Sequence, residues 1–139
     1  MPEADIKLFS STYHVINDIE RIGDHAENIA DLAVEKINKG VHLGDYAKEE
    51  LKIMYEKTIK AIEVSIDNYS KKSLIIPKEI EVIEEEIDNL EKKFRENNIK
   101  RLNEKKCSAA SSVIFLDLIS NLERIGDHAN NIGHAGKKD

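Results

Sequence analysis

The sequence predicts an all-α fold, an antiparallel bundle of four long helices. Apolar residues recur at intervals of three and four residues in four separate segments, the spacing of packed helices. Clusters of glycine, proline and polar residues separate those segments, and no stretch alternates as a strand would. The composition agrees, with 35% charged and 5% aromatic residues and only two prolines in 139 residues. A chain of this length forms one domain with its own core.

The first helix is predicted over residues 5–38. Its apolar stripe has spacings of four and three residues, and it consists of Val15, Ile19, Ile22, Ala26, Ile29 and Ala33. Two glycines in the segment 38–45 supply a turn that ends this helix. The second helix has apolar residues from Leu51 to Tyr69 and ends before Pro77, because proline cannot continue a helix.

The third helix begins after Pro77 and ends near residues 103–108, and the fourth runs from about Ser111 to Ile132. The connections are short, so helices adjacent in sequence should pack antiparallel. Large apolar residues on the stripes should form the core. The predicted core consists of Ile19, Ile22, Ile29, Ile83, Ile87, Leu90, Phe94, Phe115, Leu118, Leu122, Ile125 and Ile132.

Charge and composition exclude several classes of protein. The net charge is −6 and no basic stripe stands out, so nucleic acid is not an expected partner. The longest apolar run, residues 113–119, is far too short to span a membrane, so no membrane insertion is expected. Cys107 is the sole cysteine, which fits a reducing compartment, and no signal peptide is recognisable. A cytoplasmic location is therefore predicted.

An internal repeat is the most specific feature of the sequence. The heptapeptide ERIGDHA occupies residues 20–26 and again residues 123–129, and the surrounding segments 16–33 and 119–136 align without gaps. The first and fourth helices are therefore predicted to be copies of one unit. If the unit has three helices, residues 44–136 form a complete second repeat and residues 5–38 the end of a first. The chain then reads as a fragment that begins part-way through a repeat.

Each copy of the repeat contains two carboxylates one helical turn apart, Glu20/Asp24 and Glu123/Asp127. Projected at 100° per residue, each pair lies opposite the apolar stripe of its own helix. Like charges at this spacing cost a helix about 0.2–0.5 kcal/mol, and a glycine inside a helix costs roughly 1 kcal/mol. Parallel carboxylates can chelate a multivalent cation, which would offset these costs. The third helix has the same spacing in Glu84/Asp88, so antiparallel packing would bring four carboxylates together.

Neighbouring residues are predicted to have an accessory role. Two asparagines extend the carboxylate faces, and two glycines leave room for a metal, an anion or another backbone; these residues are Asn28, Asn131, Gly23 and Gly126. A metal-free alternative stays open, because this carboxylate spacing is common on solvated faces and Arg21 and Arg124 could neutralise the charge. His25 and His128 are interpreted as packed or surface residues, since they lie well round the helix from the carboxylates.

Catalysis is not expected. A ferritin-like di-iron site needs Glu-x-x-His motifs that point into the bundle, whereas here histidine follows glutamate by five residues. A phosphohydrolase of the His-Asp type needs that order, and the sequence has Asp-His. Glycine-rich phosphate loops and Ser/His/Asp arrangements are also missing from the sequence. A metal-dependent phosphatase therefore ranks last among the functions considered.

The segments NDIERIGDHAENIADLA and SNLERIGDHANNI closely resemble the signature helix of the PhoU family, bacterial phosphate-uptake regulators built from three-helix repeats. The resemblance implies a metal site on the matching E/D-x-x-x-D residues Glu84, Asp88, Glu123, Asp127, Glu20 and Asp24. It implies multinuclear iron or zinc as the cofactor, with manganese or magnesium ranking behind them. The segment CSAASSVIFLDLISNLERIGDHANNI is also similar to the PhoU-like cytoplasmic tail of type II-related sodium/phosphate cotransporters.

The expected function is therefore that of a metal-binding regulatory domain in phosphate transport. The expected partners are the membrane portion of a transporter or phosphate-signalling proteins. The alternative is a metal-free helical module for protein–protein interaction. Because one flank of the stripe from Val15 to Ala33 would lack its packing partner in such a fragment, a homodimer through the first helix is also predicted.

Overall fold

The computed structural model of the chain describes residues 2–71 and 77–135. Within those ranges the chain forms four helices and no strands: α1 Glu3–Asn38, α2 Asp45–Ser70, α3 Lys78–Asn103 and α4 Ala109–His134. The predicted all-α fold of four long helices is thus confirmed. Position 136, the predicted end of the second repeat, lies outside the described residues. The division of the chain into two repeats stays a prediction.

Local sequence explains where the helices begin and end. After α1, Gly40 adopts a positive φ of 62° and its amide donates to the Ile37 carbonyl, which closes the helix end. Glycine takes this left-handed conformation without steric cost. Pro77 directly precedes α3, and at the start of α4 the Ser108 hydroxyl accepts a hydrogen bond of 3.0 Å from the Ser111 amide. The turns predicted at the glycines and at the polar segment 103–108 are therefore present.

Helix α4 is the centre of the bundle. It packs against α2, α3 and α1, and α2 also packs against α3. The main core is formed by buried residues of α2, α3 and α4 together with the turn before α2; among its members are Met54, Ile83, Ile87, Phe94, Phe115, Ile119 and Leu122. A smaller cluster, built around Val15 of α1 and Ile132 of α4, joins α1 to this core.

Helix α1 packs differently from the prediction. It lies along α4, its partner in the repeat, and not along α2, its neighbour in sequence. The face toward α4 contains Val15, Asp18 and His25, all buried. Ile19, predicted as core, is 56% exposed. The buried face of α1 is therefore rotated by one residue relative to the predicted apolar stripe. On this face Asp18 and His25 contact polar side chains of α4.

Candidate metal centre

The structure places three carboxylates of the predicted site together. One oxygen each of Asp88, Glu123 and Asp127 lies within 4.8 Å of the other two, and all three residues are half-buried. Asp88 belongs to α3 and the other two belong to α4, so the packing of α3 against α4 creates the cluster. We call these three residues the carboxylate cluster.

Gly126 lies where α4 packs closely on α3. A Cβ atom added at Gly126 would lie 3.0 Å from Cδ1 of Ile87, the residue that precedes Asp88. The Ile87 side chain would have to shift by a few tenths of an ångström to make room for it. The equivalent Gly23 of α1 faces open space, with nothing within 4 Å of an added Cβ. Of the two predicted accessory glycines, one therefore packs against a neighbouring helix.

Burial and mutual repulsion change the titration of the carboxylate cluster. The pKa of Glu123 is raised from 4.5 to about 7, chiefly by burial and in addition by the charges of Asp127, Asp88 and Glu91 and by a hydrogen bond with Asp127. Burial also raises the pKa of Asp127, with a further rise from Asp88, while its hydrogen bond with Glu123 acts in the opposite direction. The cluster therefore holds negative charge at a cost that a bound cation would relieve.

The other predicted metal ligands lie outside the carboxylate cluster. Glu84 is half-buried, and its carboxylate lies 3.8 Å from Nε2 of His134. Glu20 and Asp24 are exposed on α1 and no acidic side chain of another helix joins them in a cluster of three among the described residues. The predicted four-carboxylate edge is thus a cluster of three.

The predicted accessory asparagines serve the contact between α1 and α4. The amide of Asn28 donates to Asn121 at 3.3 Å, and that of Asn131 donates to Asp18 at 3.4 Å. Both therefore join the two copies of the repeat to each other. Neither is a member of the carboxylate cluster.

Both histidines of the repeat lie in the same interface. Nδ1 of His25 is 3.0 Å from Oδ1 of Asn121, and Nδ1 of His128 is 3.0 Å from Oδ1 of Asp18. Residues 18 and 121 are equivalent positions of the repeat, as are 25 and 128, so the two contacts are related by a local two-fold axis. The imidazole rings stack near that axis with centroids 5.7 Å apart. The interpretation of these histidines as packed residues fits this geometry.

A cavity of about 350 Å³ joins this interface to the carboxylates. It is lined by Arg21 and His25 of α1 and by Glu123, Arg124, Asp127 and His128 of α4. Neither arginine forms an ion pair within 4.0 Å among the described residues, although the charge of Arg124 acts to lower the pKa of Asp127. The position of His25 on this cavity could not be predicted from spacing along the sequence, because His25 and these carboxylates belong to different helices.

A second cavity of about 440 Å³ lies beside the N-terminal end of α4. Arg101, one of the charged residues that line it, bonds to Glu50 at 2.6 Å and lies over the ring of Phe115 at 5.4 Å. Asn97 also donates to Glu50. These groups satisfy one another, so the arrangement is typical of a structural ion pair that closes the end of the bundle.

Within the described residues, no helix has the length and apolarity needed to cross a membrane. Comparison with known proteins finds no match among curated proteins or among solved structures. Comparison with protein families matches the PhoU domain over residues 1–33 and 51–135. That match covers both copies of the heptapeptide, most of α1 and α2, and all of α3 and α4. The chain therefore belongs to the PhoU family, whose members are regulatory helical proteins of phosphate transport and not enzymes.

Proposed function

We propose that this chain binds metal at the carboxylate cluster and that the bound metal serves its role in regulating phosphate transport. The observation that supports the proposal is the set of three carboxylate oxygens within 4.8 Å, drawn from two helices. Three like charges at such distances repel one another unless a cation or a proton lies between them. PhoU domains are associated with metal binding, which favours the cation.

We propose iron or zinc as the bound ion on the basis of the family resemblance, with manganese and magnesium ranking behind. Carboxylate oxygens bind all four ions, so the oxygens alone do not separate them. A cation here would bridge α3 and α4 and relieve the repulsion between Asp88, Glu123 and Asp127. Glu84, Glu20 and Asp24 lie apart from the cluster, and we propose that they contribute only to further ions in a multinuclear site.

Metal analysis of matched variants tests this proposal. Chain purified without chelator should contain iron or zinc in stoichiometric amount, and its melting temperature should fall when the metal is removed. Asp127→Asn should abolish this metal content, whereas Asp24→Asn, the same change in the exposed copy, should retain it. A wild-type chain free of metal whose melting temperature does not respond to added iron or zinc would contradict the proposal.

The cellular setting is proposed from the family. We place the chain on the cytoplasmic side of the membrane, as the PhoU-like tail of a sodium/phosphate cotransporter or as a partner of a phosphate transporter and its signalling proteins. In cells that lack the chain, phosphate uptake should be misregulated. Wild type and Asp24→Asn should restore control and Asp127→Asn should not. Equal rescue by Asp127→Asn would separate regulation from metal binding.

The alternative, a metal-free interaction module, is favoured by the outer face of α1. Large apolar side chains there are solvent-exposed; the set is Ile6, Leu8, Phe9, Tyr13, Ile16 and Ile19. Under this alternative, the carboxylate faces of the repeat would dock on a basic surface of the same partner. Charge reversal at Glu123 and Asp127 would then abolish binding to that partner, and chelators would have no effect. Chelators therefore distinguish it from the leading proposal.

We also propose that the exposed face of α1 is covered by a second copy of this chain. The repeat provides the argument: Ile16 is 58% exposed, whereas its equivalent on α4, Ile119, is fully buried against the rest of the bundle. A face that matches itself closes most simply as a two-fold dimer. Sedimentation should show a dimer for the wild type and a monomer for Ile16→Glu. A wild type that stays monomeric at high micromolar concentration would contradict the dimer.

A further inference from the structure

We infer that a second copy of this chain packs in the apolar groove between α1 and α2, so that α2 provides half of the interface between the copies. This inference rests on the proposed dimer and adds to it the helix on the other side of the groove. It does not depend on bound metal, because the carboxylate cluster lies between α3 and α4.

The groove exists because α1 and α2 both pack on α4 but form no substantial contact with each other among the described residues. Ile22 of α1 and Tyr69 of α2 approach the bottom of the groove, where both pack on the buried cluster of Val15, Ile132 and Ala135. The groove therefore has two helical walls and an apolar floor.

Helix α2 presents an apolar flank to this groove. The flank has spacings of four and three residues and consists of Tyr55, Ile59, Ile62, Ile66 and Tyr69. Tyr55 is 57% exposed and Ile66 is 48% exposed, and the other three are half-buried. The opposite flank of α2 is polar, because Lys57 and Lys60 form ion pairs with two glutamates of α3. The exposed apolar surface of α2 is thus concentrated on the side toward α1.

The facing flank of α1 is equivalent to a flank of α4 that another helix covers. Ile19 and Ala26 of α1 correspond in the repeat to Leu122 and Ala129 of α4, which are 7% and 1% exposed. Helix α2 packs on that flank of α4, and Thr58 donates to the Leu122 carbonyl at 3.3 Å. On α1 the same flank is open, since Ile19 is 56% exposed and Ala26 is also exposed. Its sequence therefore suits contact with an apolar helix.

Charge decides on which side of α1 the second copy lies. Each copy has a net charge of −6, so two copies repel each other unless their contact surface is poor in acids. Projected at 100° per residue, the flank of α1 that points away from the groove contains four exposed acids, Glu20, Asp24, Glu27 and Asp31. The groove flank, which contains Ile19 and Ala26, has none of them. A second copy therefore meets less repulsion at the groove than at the acidic flank.

The groove also provides both halves of a reciprocal contact. In a two-fold dimer α2 of each copy packs against α1 of the other, because each copy has one open flank on α1 and one apolar flank on α2. A face two helices wide and as long as α2, about 20 Å by about 39 Å, covers roughly 800 Å² on each copy, the area that stable interfaces bury per partner. A face one helix wide covers only about half of that area. The interface therefore needs α2 as well as α1.

Sedimentation of matched variants tests the inference. Ile66→Glu and Tyr55→Glu, both at exposed positions of α2, should sediment as monomers at concentrations where the wild type is dimeric. Val82→Glu is the control and should remain a dimer, because Val82 is a 41% exposed apolar residue of α3, outside the groove. Far-UV circular dichroism shows whether each variant keeps its helices.

The outcomes separate this inference from the proposed dimer on which it rests. If Ile66→Glu and Tyr55→Glu stay dimeric while Ile16→Glu is monomeric, the inference is overturned and the dimer through α1 stands. A monomeric Val82→Glu with intact helices would place α3 in the interface and would also overturn the inference. A wild type that is monomeric at high micromolar concentration would overturn both.

Discussion

The two copies of ERIGDHA have the same amino-acid sequence but are packed against different parts of the structure. On α4 the motif is enclosed, because Gly126 packs on Ile87, and Glu123 and Asp127 meet Asp88 of α3. On α1 the motif is open, because Gly23 faces empty space and Glu20 and Asp24 are exposed. The heptapeptide therefore does not form the carboxylate cluster by itself. It supplies two carboxylates, and the helix packed against them decides whether a third joins them.

The largest difference between the copies should be in core packing. Ile119 and Ile16 are equivalent residues of the same type, 0% and 58% exposed. Ile119→Ala should cost about 2–5 kcal/mol of the free energy of unfolding, because it empties a buried site. Ile16→Ala should cost less than about 0.5 kcal/mol in the monomer. Urea denaturation at low protein concentration measures both, and equal losses would show that α1 is covered.

The glycines should differ by a smaller amount. Gly23→Ala should stabilise the chain by roughly 0.5–1 kcal/mol, since alanine favours the helix and the added methyl group meets nothing. Gly126→Ala gains the same preference but places its Cβ atom 3.0 Å from Ile87, so most or all of that gain should be lost. Thermal unfolding of the two variants gives the difference. A larger stabilisation from Gly126→Ala would contradict the close approach of α3 and α4.

The smallest effect should appear in the pH dependence of the metal-free chain. The pKa of Glu123 is raised to about 7 in the folded chain from an ordinary 4.5, so the folded state holds more protons between those values. Stability from this group is therefore highest at low pH and falls as the pH rises toward 7. Glu123→Gln should melt above wild type at pH 8, with the difference smaller at pH 6.

The matched control for this pH dependence is Glu20→Gln, the same change in the exposed copy. Its melting temperature should follow that of wild type at both pH values. Saturation with zinc should remove the advantage of Glu123→Gln, because the bound cation stabilises the ionised carboxylates. If wild type and Glu123→Gln respond identically to pH without metal, the crowding of the carboxylate cluster is refuted.

Helical periodicity, together with the glycine, proline and polar residues between the periodic segments, was enough to predict the four helices and most of the core. They could not predict the exposure of Ile19, because the apolar stripe of α1 was assumed to face inward as a whole. Packing on α4 is decided by polar pairs such as Asp18 with His128, which a search for apolar periodicity ignores. Likewise, spacing within a helix identified Glu123 and Asp127 as a pair. Which side chains of other helices join them depends on helix rotation, and that is fixed only by tertiary contacts.

The local two-fold axis between α1 and α4 does not make the two ends of the interface equivalent. A helix that packs against its own copy presents each shared residue twice, once on each side of the axis. The equivalent positions 18 and 121 now differ, with aspartate on one side and asparagine on the other, while both facing histidines are unchanged. One end of the interface can therefore form an ion pair, and the other forms only neutral hydrogen bonds.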